Sequence, residues 1–289
     1  MILPEDALPE RLYESVTEQS GAYFVADKLL ETHTSAFQKI EVFETADLGK
    51  LMRIDGCNMV SERDEFFYHE NLIHPVVTAH DNPQNVLIIG GGDGGAAEEI
   101  LKHPSIKKVI LCELDASVVE MAKRHFASVH RGVFADPKLS LLLGDGSKFI
   151  RETNEQFDFI ALDLTDPIGE AKALYSPTFF AACKAKLSIG GALTIHIGSP
   201  FAHPSRVRES MANLRATFRI VNAWFVHIPM YGATWGFASG SDSLDIRDIS
   251  ADEIDKRLAE RHIGQRQFYN GAMHHAMQAL PEYVDALLR

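Results

Sequence analysis

Asn85-Val86-Leu87-Ile88-Ile89 runs directly into Gly90-Gly91-Gly92-Asp93-Gly94-Gly95, and a helical stretch from Ala96 to Lys102 follows. A short, unbroken apolar run bounded by a glycine turn reads as a strand buried on both faces of a parallel sheet. The same alternation recurs downstream. Val109-Ile110-Leu111-Cys112 reads as a strand and Ala116 to Phe126 as its helix. Leu139 to Leu143, Phe159 to Leu162 and Ala192 to Ile197 continue the series with helices between them. Repeated strand–helix units predict an α/β fold with a doubly wound, mainly parallel sheet. Trp224 to Ile228 and Thr234 to Ala238 predict a closing antiparallel pair.

Upstream the texture differs. Ala22 to Ala26, Gln38 to Phe43 and Lys50 to Ile54 are short, partly alternating runs punctuated by Asp27-Lys28, Thr45-Ala46-Asp47 and Asp55-Gly56. They predict a small antiparallel N-terminal β domain over residues 1–60, ahead of a Rossmann-like domain over 61–289. Ser61 is read as an N-cap with Asp64 in the first turn of a helix through Ile73, whose end Pro75 and Pro83 bracket.

The chain has 289 residues, enough for a large domain with a smaller one, and its 46% hydrophobic and 24% charged content is that of a globular protein. A formal net charge of −12 argues against a nucleic-acid partner, which needs clustered Lys and Arg. It suits a cationic ligand, although surplus acid also serves solubility alone. Cys57, Cys112 and Cys183 form no CxxC pair and sit among apolar neighbours, so buried reduced thiols are expected. The acidic N-terminus does not read as a signal peptide, and no apolar run approaches a membrane span. A cytoplasmic protein without a membrane partner is expected.

The glycines after the first parallel strand allow a sharp turn and let a ligand approach the backbone at a helix N-terminus. A tight strand–helix turn with no ligand uses the same residues. Glu113, about 20 residues on at the end of the next strand, is placed to accept both hydroxyls of a ribose. Together these give a nucleoside-binding site that a nicotinamide dinucleotide also fits. Asp93 puts a carboxylate inside the loop, where it would repel a phosphate or carboxylate and attract an amine; it also reads as a helix N-cap. Asp145 in Leu143-Gly144-Asp145-Gly146, and Asp163 and Asp166 in Leu162-Asp163-Leu164-Thr165-Asp166-Pro167, add acids at the carboxyl ends of the third and fourth strands. Ligands bind along that edge of such sheets. His69 and His74 are five apart, roughly 140° around a helix, which does not suit a zinc-protease pair. No metal is expected. His274-His275 is expected to face solvent or a partner domain, and His196, His203 and His227 carry no functional reading.

Five segments, in order, resemble the spermidine synthases. They are Glu62-Arg63-Asp64-Glu65-Phe66-Phe67-Tyr68-His69-Glu70, Ile88 to Gly95, Cys112-Glu113-Leu114-Asp115, Gly144-Asp145-Gly146 and Asp163 to Pro167. Phe157-Asp158 and Ala279-Leu280-Pro281 fit as well, so the resemblance covers nearly the whole chain. It implies a methyltransferase-like Rossmann domain that moves the aminopropyl group of decarboxylated S-adenosylmethionine, a co-substrate rather than a tightly bound cofactor, to a diamine or polyamine. Putrescine is the expected acceptor, with spermidine and 5'-methylthioadenosine as products. A homodimer or homotetramer is expected.

By the same resemblance Gln38, Gly90, Asp93, Glu113, Asp145 and Gly146 would hold the donor. His69, Asp93, Asp163, Asp166 and Tyr231 would face the amines. Asp163 would be the base, with Tyr68 and Asp166 assisting. An alkylamine has a pKa near 10, so at neutral pH only about one molecule in a thousand is unprotonated, and a carboxylate must take its proton. The acceptor half departs from the family. Met59 stands where relatives carry glutamine, Glu170-Ala171-Lys172 replaces Pro-Gly-Glu or Pro-Ala-Glu, and Pro229-Met230-Tyr231 replaces Pro-Thr-Tyr. Lys172 either points inward, repelling an ammonium that Glu170 would then have to hold, or turns to solvent. Alternatives are the same chemistry on cadaverine, agmatine or a longer polyamine, an S-adenosylmethionine methyltransferase, and a silent nucleoside- or polyamine-binding protein.

Overall fold

The computed structural model describes residues 10–289, apart from the side chain of Glu170. The N-terminal part is two antiparallel sheets. β1 (Glu10–Thr17) and β2 (Ser20–Ala26) form a hairpin, and β3 (Lys28–Thr34), β4 (Lys39–Thr45), β5 (Gly49–Ile54) and β6 (Cys57–Ser61) form a four-stranded meander. Alternation along β4 sends Ile40 and Val42 to one face and Phe43 to the other. The first face packs on Val118, Met121 and Ala122 of the larger domain, and the second packs on Leu12, Ala26 and Met230. The meander is therefore wedged between the hairpin and the main domain.

The larger domain opens with α1 (Glu65–Ala79) and then alternates β7 (Asn85–Gly90), α2 (Gly95–Leu101), β8 (Lys108–Glu113), α3 (Ala116–His125), α4 (Ala127–His130), β9 (Leu139–Leu143), α5 (Gly146–Glu152), β10 (Phe157–Asp163), α6 (Pro177–Lys184), β11 (Leu187–Gly198) and α7 (Pro204–Arg215). β12 (Ile220–Ile228) and β13 (Ala233–Ser241) pair antiparallel, and α8 (Ala251–Glu260), α9 (Gly271–Ala276) and α10 (Glu282–Leu288) complete the chain. The sheet order is β12-β13-β11-β10-β7-β8-β9, with β7 to β11 parallel. Both faces are covered, which is why the strands read as unbroken apolar runs. Val86, Ile88, Val109 and Leu111 face α1 and α2, while Leu87, Ile89, Ile110 and Leu162 face α6 and α7. The strand order reverses between β7 and β10, and there Asp163 pairs in register with Gly90. A crevice at the carboxyl ends of the strands is expected at that switch point.

Four local readings are corrected. Ser61 ends β6 and does not cap α1; its hydroxyl donates to Asp64 at 2.5 Å, and the other Asp64 oxygen accepts the Met230 amide at 2.7 Å. Asp64 stands at the start of α1 but is occupied in tying a distant turn, so it makes no side-chain cap. Pro75 does not end the helix. Proline supplies no amide hydrogen, which leaves the Asn71 carbonyl without its helical donor, and the indole of Trp224 donates to that carbonyl at 3.1 Å. Cys57 is exposed at the start of β6, whereas Cys112 and Cys183 are buried. His274 is fully buried, its ring nitrogens 2.7 Å from the Tyr269 hydroxyl and 2.7 Å from the Ile246 carbonyl, while His275 is exposed.

The Trp224–Asn71 bond yields a specific expectation. Trp224→Phe leaves a buried carbonyl unpaired and costs about 1–3 kcal/mol beyond the loss of packing. Pro75→Ala restores an amide hydrogen at the right place and recovers part of that loss in the double variant. Denaturant midpoints of the two single variants and the double variant check both steps.

Candidate active site

The crevice at the switch point is a cavity of about 480 Å³. Its walls come from the end of β7 and its glycine loop, the ends of β8 and β10, the Asp145-Gly146 turn, α1 through Tyr68 and His69, and the N-terminal sheet through Gln38, Met52 and Met59. Sequence reading placed Gln38, Gly90, Asp93, Glu113, Asp145, Gly146, Tyr68, His69, Asp163 and Tyr231 at a common site, and all ten line this cavity.

In one half, Glu113 accepts the Gly92 amide at 3.1 Å through one oxygen and the Asp115 amide at 2.9 Å through the other. Burial pushes its carboxyl up to about 7 against those two bonds. Asp145 caps α5, its Oδ1 accepting from Ser147 at 2.7 Å and Lys148 at 3.2 Å, while Oδ2 has no hydrogen-bond partner among the described residues. The Gln38 amide donates to Asp115 at 3.1 Å, which fixes the N-terminal sheet against β8.

In the other half, Asp93 carries both of its readings at once. Its Oδ1 accepts the Gly95 amide at 2.8 Å and lies 3.5 Å from Nε2 of His69. Nδ1 of His69 is 2.8 Å from Glu65, which is in turn 3.5 Å from Arg131. Burial alone would lower His69, but Asp93 and Glu65 raise it well above its usual value. Burial alone would raise Asp93, but the His69 charge and hydrogen bonds hold it below the usual range. The two carboxylates thus favour the protonated ring, which has two donors and no acceptor. In this arrangement His69 bridges Glu65 and Asp93 at the cavity wall.

The glycine loop serves this arrangement closely. A Cβ on Gly95 would lie 2.2 Å from the His69 ring, and one on Gly90 (φ +82°) would lie 2.0 Å from the Asp163 carbonyl. The loop is thus shaped by the His69 ring at Gly95 and by the Asp163 backbone at Gly90.

Asp163 behaves oppositely to Asp93. Burial and the neighbouring Asp93 charge push it up to about 7, against His69 and the Tyr68 hydroxyl. Its Oδ2 is buried and has no hydrogen-bond partner among the described residues. One ligating atom each of His69, Asp93 and Asp163 lies within 4.8 Å of the other two. Tyr68 is fixed by edge-on packing on Phe237, with ring centroids 5.3 Å apart, and Tyr231 stacks at a tilt on Trp235 at 4.7 Å.

Asp166 departs from expectation. It does not line this cavity; its Oδ2 is 2.6 Å from Nη1 of Arg206 on α7. Sequence reading missed Arg206, for which the chain gives no local motif. It also missed Glu14 on β1, which accepts the Asn58 amide at 2.8 Å. Burial pushes Glu14 up to about 7, against the Asn58 bond and the Arg53 charge and with the charge of Asp166. Lys172 is exposed and lines a second cavity of about 640 Å³ together with Arg206 and Glu209. The Glu170 side chain lies outside the described residues. Among the described residues, no helix is long and apolar enough to cross a membrane.

Known proteins resemble this chain in sequence and in fold. A family model described as the spermine/spermidine synthase domain matches residues 65–251, and one described as the spermidine synthase tetramerisation domain matches residues 13–62. The polyamine aminopropyltransferase of Nitrosomonas europaea is 42% identical over 285 residues, covering 99% of this chain and 88% of the relative. Polyamine aminopropyltransferase 1 of Pseudomonas aeruginosa is 36% identical over 272 residues, covering 94% of this chain and 95% of the relative. A crystal structure of spermidine synthase in complex with the transition state analogue AdoDATO superposes with a TM-score of 0.90 at 31% identity, covering 99% of this chain and 98% of the other. Spermidine synthase from Thermotoga maritima gives a TM-score of 0.87 at 30% identity, covering 99% and 97%. The chain belongs to the spermine/spermidine synthase family of polyamine aminopropyltransferases.

Proposed function

We propose that this enzyme transfers the aminopropyl group of decarboxylated S-adenosylmethionine to a diamine, putrescine foremost, giving spermidine and 5'-methylthioadenosine. The observation that carries the reading is Asp163, a buried carboxylate raised to about 7 with one oxygen free of partners, beside Asp93 held below the usual range. Two acids pushed apart in this way mark a base and a charge anchor.

The donor's adenosine would lie in the half built by Gln38, Glu113, Asp145 and Gly146, with ribose hydroxyls on Glu113 and the adenine amino group on Asp145. Its ammonium would meet Asp93, fixed by His69. Asp163, oriented by Tyr68, takes a proton from the acceptor ammonium. The freed nitrogen attacks the carbon next to the sulfonium, the carbon–sulfur bond breaks, and its electron pair leaves with sulfur as a neutral thioether. The acceptor's methylenes suit the Tyr68 and Tyr231 rings, and Asp166 and Glu14 supply the acids its second ammonium needs. Cadaverine, agmatine and longer polyamines are the alternative acceptors.

Assembly into a homodimer or homotetramer through the N-terminal sheets is supported by exposed Tyr13 and Tyr23, whose rings lie 6.0 Å apart on the outer hairpin. Three unpaired thiols support a reducing, cytoplasmic setting.

Mass spectrometry of products from decarboxylated and intact S-adenosylmethionine with a panel of amines tests the reaction. Aminopropylated amine from the decarboxylated donor is expected, and methylated product would overturn it. Asp163→Asn should lower turnover by about 10²-fold or more. In the native enzyme kcat/KM for the acceptor should rise up to about pH 7, where Asp163 loses its proton, and then level off. The variant's residual rate should keep rising as free amine accumulates.

Donor choice is a separate expectation. The carboxylate of intact S-adenosylmethionine would lie against Asp93, so calorimetry should show at least about tenfold weaker binding, roughly 1.4 kcal/mol. Asp93→Asn should narrow that gap, and equal affinities in the native enzyme would contradict the assignment.

A further inference from the structure

Arg206 sits in the first turn of α7, the end of a helix that favours anions and disfavours a guanidinium. Its side chain crosses the end of β11 over Gly198, where a Cβ would lie 3.1 Å from Cδ of Arg206, to reach Asp166. The two side chains are largely withdrawn from solvent, 18% and 32% exposed. The contact is close but poorly aligned: Nη1 of Arg206 and Oδ1 of Asp166 are both buried without a hydrogen bond among the described residues. No parallel fork of two bonds forms, the arrangement that makes arginine–carboxylate pairs strong. The neighbouring His196 is biased toward its neutral form. Burial lowers it, and its Nε2 lies between the Tyr175 hydroxyl at 2.7 Å and the Leu164 carbonyl at 2.8 Å.

We infer that Arg206 is a specificity-determining residue of the acceptor site, an internal cation occupying the place on Asp166 that the acceptor's second ammonium must take. The inference rests on the aminopropyl-transfer reading above. An arriving diamine meets a neutral Asp166–Arg206 pair and must separate it before its own charge is compensated. Glu209, three residues on along α7, lines the same second cavity as Arg206 and makes no ion pair among the described residues. Residues three apart on a helix are neighbours, so the displaced guanidinium has an acid to move to. The cost falls only on amines that place an ammonium at Asp166. A monoamine of the same length escapes it. Arg206 therefore compresses the enzyme's preference for diamines over monoamines and weakens diamine binding.

The test compares 1,4-diaminobutane with 1-aminobutane in the native enzyme, Arg206→Met, Arg206→Lys, Asp166→Asn and the Asp166→Asn/Arg206→Met double variant. Arg206→Gln stands in if the methionine variant does not fold. Affinity is read by calorimetry and KM by turnover with decarboxylated S-adenosylmethionine. Arg206→Met should tighten the diamine by about tenfold, the scale of one displaced ion pair, with the gain in KM rather than kcat and no matching gain for the monoamine. Arg206→Lys should behave like the native enzyme, and the effect should vanish in the Asp166→Asn background. Unchanged or weaker diamine binding in Arg206→Met, or an equal gain for the monoamine, would overturn the role of Arg206. Absence of aminopropylated product from the native enzyme would instead overturn the reading of the reaction, which the calorimetric comparison does not need.

Discussion

Asp93 and Asp163 face one cavity from the ends of neighbouring strands, and two like charges so placed cannot both persist out of water at equal cost. The structure resolves this by giving one of them a permanent partner. Glu65 and His69 hold Asp93 ionised, and its charge in turn pushes Asp163 toward neutrality. Glu113 and Glu14 are also raised to about 7 by burial. All three raised acids hold protons in the folded state that the unfolded chain would release above its own carboxyl range. Their contribution to stability is therefore fully present at low pH and is lost as pH rises through about 7. A cationic ligand reverses that loss, because it favours the ionised forms the empty site resists.

The segment Glu62 to Glu70 organises much of the molecule around this site. Glu62 accepts the Lys50 amide and the Ser128 hydroxyl, and Asp64 takes the Met230 amide that sets the turn carrying Tyr231. Glu70 collects the amides of Gln267, Phe268 and Tyr269 at 2.6 to 3.0 Å. Tyr68 and His69 lie between these anchors on one rigid helix. Glu62, Asp64, Glu65 and Glu70 thus each have a mechanical reason for their identity, whether or not they meet a ligand.

The parallel sheet was legible because burial on both faces leaves unbroken runs such as Val86 to Ile89 that few other structures require. The half of the cavity around Glu113 and Asp145 was legible for a related reason: its acids close strands and cap helices, so each is fixed within a few residues of its own position. The rest depended on contacts distant in sequence. Pro75 reads as a helix end, and only Trp224, some 150 positions away, makes it tolerable inside α1. Ser61 and Asp64 look like a cap until Met230 claims the carboxylate. Arg206 lies on an ordinary amphipathic helix, and nothing local tells that Gly198 clears its way to Asp166. Glu14 sits in a hairpin strand too polar to be read as buried.

The glycine loop carries a consequence for how such a site can change over time. With the His69 ring standing where a Cβ on Gly95 would be, the two positions are not independent characters. A lineage that acquired alanine at 95 first would displace the imidazole and strand Asp93 without its partner. One that first replaced His69 with a smaller side chain would open the room beforehand. The order of substitution is thus constrained by a gap narrower than one methyl group, and drift at either position is gated by the other.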